Sequence, residues 1–193
     1  MLRTALRVLL LLAAASAALA APAGRAPVYA PGAVEGLRRL TPEQRMERRF
    51  LQDAAALQRF SGEAARLALA RSQSPAVREV ATQLRKHLET SGPQLQYLLH
   101  VRGMALPMLD NEQARALKQL GRASGRQFDR LFLQEAGVRA QVLELRSYER
   151  MAQAAHDPQI KAWVESQLPP LRYRLALAER ALPERTATAP GNR

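Results

Sequence analysis

Between Thr41 and Leu182 the apolar side chains return at intervals of three and four residues, in four long runs. That spacing lines them along one side of an α-helix. The first run is Met46, Phe50, Ala54, Leu57, Phe60, Ala64 and Leu67, and the second is Val77, Val80, Leu84, Leu88, Leu95 and Leu98. The third is Phe128, Leu131, Phe132, Val138, Val142, Leu145 and Tyr148, and the fourth is Ile160, Val164, Leu168, Leu171, Leu175, Ala178 and Leu182. No segment alternates with the two-residue period of a strand. Four one-sided helices joined by short connections are expected to reverse direction at each joint and cover one another's apolar faces. The expected fold class is therefore all-α, an antiparallel four-helix bundle.

Local signals set the boundaries. Thr41-Pro42-Glu43-Gln44 places a capping hydroxyl, a proline at the first helical position and a glutamine that can close a capping box. Ser74-Pro75 and Asp157-Pro158 repeat the device for the second and fourth helices, and Gly103 is the expected stop of the second. Asp110 caps a short extra helix from Asn111 to about Arg122, between helices 2 and 3, and the long third helix is expected from about Arg126 to Ala155. Ser91-Gly92-Pro93 predicts a kink or break near Gly92, and Pro169-Pro170 a bend, because an internal proline removes a hydrogen bond and crowds the preceding turn.

Outside the periodic region the chain reads differently. Arg3 and Arg7 precede an uncharged small and apolar run from Val8 to Ala20, followed by Ala21-Pro22. This is the order of a signal peptide, with Ala18-Leu19-Ala20 supplying the small residues ahead of cleavage near Ala20. A membrane-spanning helix needs about 20 apolar residues, and no later segment is that long without charge. The expected organisation is residues 1–20 as signal peptide, 21–40 as a flexible leader rich in Ala, Pro and Gly, 41–182 as the helical domain, and 183–193 as a disordered tail. The expected location is the periplasm or the exterior, with peripheral association with the outer membrane.

Composition bounds the chemistry. No cysteine is present, which removes disulfides, thiolate chemistry and a lipid-attachment thiol. The formal charge is +12, and cleavage after Ala20 removes two arginines and no acid, leaving +10 on the mature chain. Such a surface favours anionic partners in the envelope. Aromatic residues make up 5% of the chain and do not interleave with basic strands, so no specific nucleic-acid module is expected. No phosphate-cradling glycine loop and no nucleophile elbow occurs. Met104, Met108 and Met151 are too scattered for a copper-type cluster, and Met104 and Met108 are expected to fill gaps under the loop that connects helices 2 and 3. Phe128, Phe132 and Trp163 are expected in the core.

One constellation invites a metal reading. Glu63 follows Phe60 by three and His87 follows Leu84 by three, which puts both on inward stripes of neighbouring helices. Carboxylate and imidazole together suit zinc, iron or manganese. Two ligands fall short of the four of a structural site or the three of a catalytic one. None of His87, His100 and His156 has a glutamate three residues before it, so the Glu-x-x-His signature of di-iron bundles is missing. His100 and His156 are expected at helix C-termini, where the dipole favours a cation.

A family resemblance rests on an ordered series of fragments. Phe50-Leu51-Gln52-Asp53-Ala54-Ala55, Ser74-Pro75-Ala76-Val77 and His87 resemble the opening of the bacterial family called domain of unknown function 4142. Gly103-Met104-Ala105-Leu106-Pro107, Phe128-Asp129-Arg130, Asp157-Pro158-Gln159-Ile160-Lys161-Ala162 and Leu168-Pro169-Pro170-Leu171 continue the match to Leu182. The resemblance implies an exported ferritin-like helical bundle with no established activity, whose members commonly carry a carboxylate and several histidines facing inward. This chain departs from that pattern. The third-helix histidine falls near Arg139 or Ala140, where the segment before Tyr148 is shifted by one residue, and the fourth-helix histidine is replaced by Arg174 in Leu171-Arg172-Tyr173-Arg174-Leu175. Arginine does not ligate metals.

The expected interior is thus a buried polar cluster of Glu63, His87, Glu135 and Arg174, with Arg174 pairing to Glu63 or Glu135 and His87 bonded to a carboxylate. No resident cofactor and no catalytic residue is expected. The expected function is a non-enzymatic envelope protein that binds a protein partner or an anionic envelope component, its oligomeric state open. The alternative is a periplasmic metal-binding or redox protein using Glu63 and His87.

Overall fold

The computed structural model describes residues 40–182. The expected signal peptide, the leader but for Leu40, and the tail lie outside the described residues. The described chain is all-helical: α1 (Pro42–Arg71), α2 (Pro75–His100), α3 (Asn111–Arg122), α4 and α5 (Pro158–Ala181). Helix α4 is continuous through three stretches, Gly125–Phe132, the π-helical Leu133–Arg139 and Ala140–Ala154.

The capping residues read from the sequence are in place. Thr41 Oγ1 accepts from the Gln44 amide, and Gln44 Oε1 accepts from the Thr41 amide at 3.0 Å. Asp110 and Gln113 make the same reciprocal pair at α3, and Asp157 caps α5. At the end of α2, Gly103 takes a positive φ of 61°, while its amide donates to His100 and the Met104 amide donates to Leu99. This is the left-handed turn that glycine adopts without steric cost.

The internal prolines do not end their helices. Both α2 and α5 run as helix through Pro93 and through Pro169-Pro170. All three prolines are exposed, as are Glu89, Glu165 and Ser166 four residues earlier, so the carbonyls deprived of a partner face water.

Helix α1 packs along α2 and touches α4, while α5 lies against both α4 and α2, and α3 rests on α1. Two apolar clusters result. One gathers Phe60, Ala64, Val80, Leu84, Phe128 and Phe132. The other gathers Phe50, Leu51, Leu95, Tyr148, Ile160 and Trp163. Burying each of the larger side chains stabilises the fold by about 1.5–3 kcal/mol. Phe50, Tyr148 and Trp163 meet edge-on or tilted, with ring centroids 5.1–6.3 Å apart. Met104 is buried as expected, but Met108 is 77% exposed and fills no gap, and Met46 is 38% exposed at the edge of its helix.

The inward face of α4 also differs from the expected one. Val138, Val142 and Leu145 are half-buried, while Gln141 and Glu144 point into the interior together with the expected Tyr148. The cause is the π-helical stretch, where hydrogen bonds span five residues and one extra residue enters the turn, as in the Ala140 amide donating to Glu135. Side chains beyond it are one position out of phase with Phe128 and Phe132.

Candidate functional site

The two apolar clusters are separated by a layer of buried polar side chains. Helix α1 supplies Gln58 and Ser61, α2 supplies Ser91, and α4 supplies Gln141, Glu144 and the hydroxyl of Tyr148, with Arg174 on α5. Arg174 is the only described basic residue that is buried, at 3% exposure. Its Nε donates to Gln141 Oε1 at 3.1 Å, and its Nη2 lies 3.6 Å from Glu144 Oε2. Across the layer, Gln58 Nε2 donates to Ser91 Oγ at 2.9 Å, and Ser91 Oγ is 3.1 Å from His87 Nε2.

Several of these groups are not fully paired. Both Nη atoms of Arg174, Glu144 Oε1, Gln141 Nε2, Tyr148 Oη and Ser61 Oγ have no hydrogen-bond partner, and neither does Trp163 Nε1 nearby. Such groups are costly in a low-dielectric interior. Burial pushes the Glu144 carboxyl up, against the pull of Arg174. Burial, followed by the charge of Glu144, drives the Tyr148 phenol well above its ordinary value. The His87 imidazole is held down to about 3, first by burial and then by the positive Arg174. His87 is therefore neutral at neutral pH, and the guanidinium carries the positive charge.

Of the four residues expected in the cluster, the structure brings His87 and Arg174 together and places the other two elsewhere. Glu63 is half-buried at the edge of α1 and is held by Arg66 one turn away at 3.0 Å. Glu135 lies within the π-helical stretch, with its side chain 25% exposed, and pairs with Arg139, which also reaches Glu112 on α3. The pairing of Arg174 with Glu63 or Glu135 is thus corrected to Glu144, and the partner of His87 is a hydroxyl rather than a carboxylate. Sequence reasoning missed Glu144 and Gln141 because the π-helical turn moved them inward. Gln58 and Ser91 carried a signal, as polar residues lying between apolar members of their stripes.

Glu63 and His87 face no common site, and among the described residues no group of three or more His, Cys, Asp or Glu is arranged to hold a metal ion. His100 is exposed in the last turn of α2, and His156 is exposed just beyond α4. At that end the buried Glu47 accepts the backbone amides of His156 and Asp157 at 2.7 and 2.8 Å, and Arg102 pairs with Asp157. These contacts tie α1, the end of α2 and the start of α5 together.

The polar layer opens between α2 and α5 into a groove of about 460 Å³, lined by His87, Ser91, Gln167 and Arg174 and rimmed by Lys86 and Tyr173. The arrangement can bind and orient a ligand through fixed donors. No helix among the described residues is long and apolar enough to cross a membrane.

The family model described as Domain of unknown function (DUF4142) matches residues 38–181. None of the curated proteins compared matches the chain. The chain is similar to the crystal structure of a DUF305 fragment from Deinococcus radiodurans, with 20% identity and a TM-score of 0.62, over 74% of this chain and 96% of that one. At that identity the likeness concerns the fold alone.

Proposed function

The chain belongs to the DUF4142 family, and from that premise we propose that it is an exported, non-enzymatic protein of the bacterial envelope that docks on an anionic surface. In this reading residues 1–20 are its export signal, α1, α2, α4 and α5 form a ferritin-like antiparallel four-helix bundle, and the mature protein works in the periplasm or against the outer membrane. The closed circuit of contacts from α1 to α2 to α5 to α4 and back supports the bundle.

One observation carries the docking. Arg115, Lys118, Arg122, Arg126 and Arg130 are all exposed on α3 and the start of α4, and the only acid between Arg115 and Arg130 is Asp129. Asp129 is engaged by the Ser72 hydroxyl at 2.5 Å. A one-sign corner of this kind attracts an anionic surface over about a Debye length, near 10 Å at 0.1 M salt. The partner is a surface of phosphate or carboxylate groups, such as anionic lipid headgroups.

Cosedimentation with phosphatidylglycerol vesicles tests this. Binding is expected at about 0.05 M salt and release at about 0.5 M, with little binding to phosphatidylcholine. Lys118→Glu with Arg122→Glu is expected to abolish most of the bound fraction. Equal binding by the double variant, or salt-independent binding, would remove the reading.

A further inference from the structure

The groove at Arg174 does not end there. A second hollow of about 510 Å³ continues along the seam between α2 and α5, walled by Pro93, Tyr97, Leu98 and Trp163. Gln94 and Ser166 line both hollows and make them one groove. Its character changes along its length. At one end stand two cations, Lys86 and Arg174, and no Asp or Glu lines either hollow. At the other end the walls are apolar and aromatic.

The polar end is built for an acidic group. Gln141 fixes the guanidinium of Arg174 through Nε, which leaves both Nη groups without a hydrogen-bond acceptor. Glu144, at 3.6 Å, balances charge without completing those hydrogen bonds. Both Nη atoms are buried beneath the groove floor, and a carboxylate that reaches this planar fork finds two donors without acceptors, matched to its two oxygens. A phosphate dianion would bring one charge more than a carboxylate into a layer that already holds Glu144, and Lys86, the second cation, stands on the exposed rim where salt screens it. From Trp163 to Arg174 the rise of α5 is about 16 Å, a length that an acyl chain of roughly twelve carbons spans.

We propose that this groove binds a carboxylic acid with an extended apolar chain, its acid group on Arg174 and its chain running toward Tyr97 and Trp163. Lys86 on the exposed rim draws the anion in. The site is separate from the basic corner of α3 and α4, and neither proposal depends on the other.

The protein contains its own probe, since Trp163 is the only tryptophan and lines the groove. The full chain is titrated with dodecanoate below its micellar concentration while tryptophan fluorescence is followed. A saturable change is expected, with dodecanol, dodecyltrimethylammonium and dodecyl phosphate each weaker by about tenfold or more. Arg174→Met is expected to abolish the response. Because that variant removes a buried charge, Lys86→Glu on the exposed rim serves as the second, and is expected to weaken dodecanoate several-fold with the fold intact by circular dichroism. No saturable change, equal binding of dodecanol or dodecyl phosphate, or an unaltered response in Lys86→Glu would overturn the proposal.

Discussion

At the scale of the residue, His87 links the polar layer to solvent acidity. Its imidazole is depressed to about 3, first by burial and then by Arg174, against an ordinary value of 6.5. The groups facing it are Ser91 and Lys86 on its own helix and Tyr173 and Arg174 across the groove, none of them acidic. As pH falls through 6.5 the unfolded chain takes up a proton that the native protein refuses until near pH 3. Stability therefore drops across that window, with a slope of at most about 1.4 kcal/mol per pH unit for one proton. Partial exposure of His87 reduces the total. Urea unfolding at pH 7 and pH 4 is expected to show wild type losing about 1–3 kcal/mol more than His87→Gln. Identical losses would show that His87 does not carry this linkage. Arg174 was legible in the sequence because a cation interrupts the apolar stripe of Leu171, Leu175 and Ala178. Glu63 misled for the opposite reason. Its spacing from Phe60 is inward, yet Arg66 one turn away holds its carboxylate at the edge of α1.

At the scale of the element, the signals that held were those decided within four residues. A cap is a contact between neighbours in sequence, so Thr41, Ser74, Asp110 and Asp157 could be read directly. Neither Pro93 nor Pro169-Pro170 ends its helix, because whether a lost hydrogen bond matters depends on which side of the helix faces water. The π-helical stretch of α4 was hidden for a deeper reason: it has no local signature and shows only as a change of phase between Phe132 and Tyr148. Its role yields a prediction. Gln134 is exposed within that stretch, and deleting it lets the turn close as ordinary α-helix without rotating the residues on either side. Deleting the exposed Arg146, in the regular part of α4, rotates everything beyond by about 100° and swings Tyr148 and Met151 out of the core. Thermal melts followed by circular dichroism should show the Gln134 deletion close to wild type and the Arg146 deletion severely destabilised or unfolded. Equal damage from both would show that the π-helical turn does not hold a removable extra residue.

At the scale of the molecule, the question is what a partly unsatisfied polar layer does between two apolar clusters that could otherwise merge. It does not maximise stability. Arg174 and Glu144 both leave hydrogen-bonding atoms unpartnered, and a buried ion pair often gains less from attraction than it loses in hydration. It does constrain geometry: α4 and α5 cannot slide by a turn without separating Arg174 from Gln141 and Glu144, whereas leucine would slide past leucine at small cost. Changing the layer as a whole and changing one member should therefore act in opposite directions. Arg174→Met alone strands Glu144 as a buried acid and is expected to destabilise by about 3–5 kcal/mol. Arg174→Met with Glu144→Leu and Gln141→Leu joins the two clusters and is expected to stabilise by about 1–4 kcal/mol, raising the melting temperature by about 2–4 °C per kcal/mol for a domain of this size. If the layer sets register, the triple variant should also broaden the methyl resonances of residues around it, such as Leu133 and Leu171, as the helices sample more than one alignment. A triple variant that melts higher with methyl lines as sharp as wild type would leave ligand recognition, rather than architecture, as the reason a charged layer crosses this core.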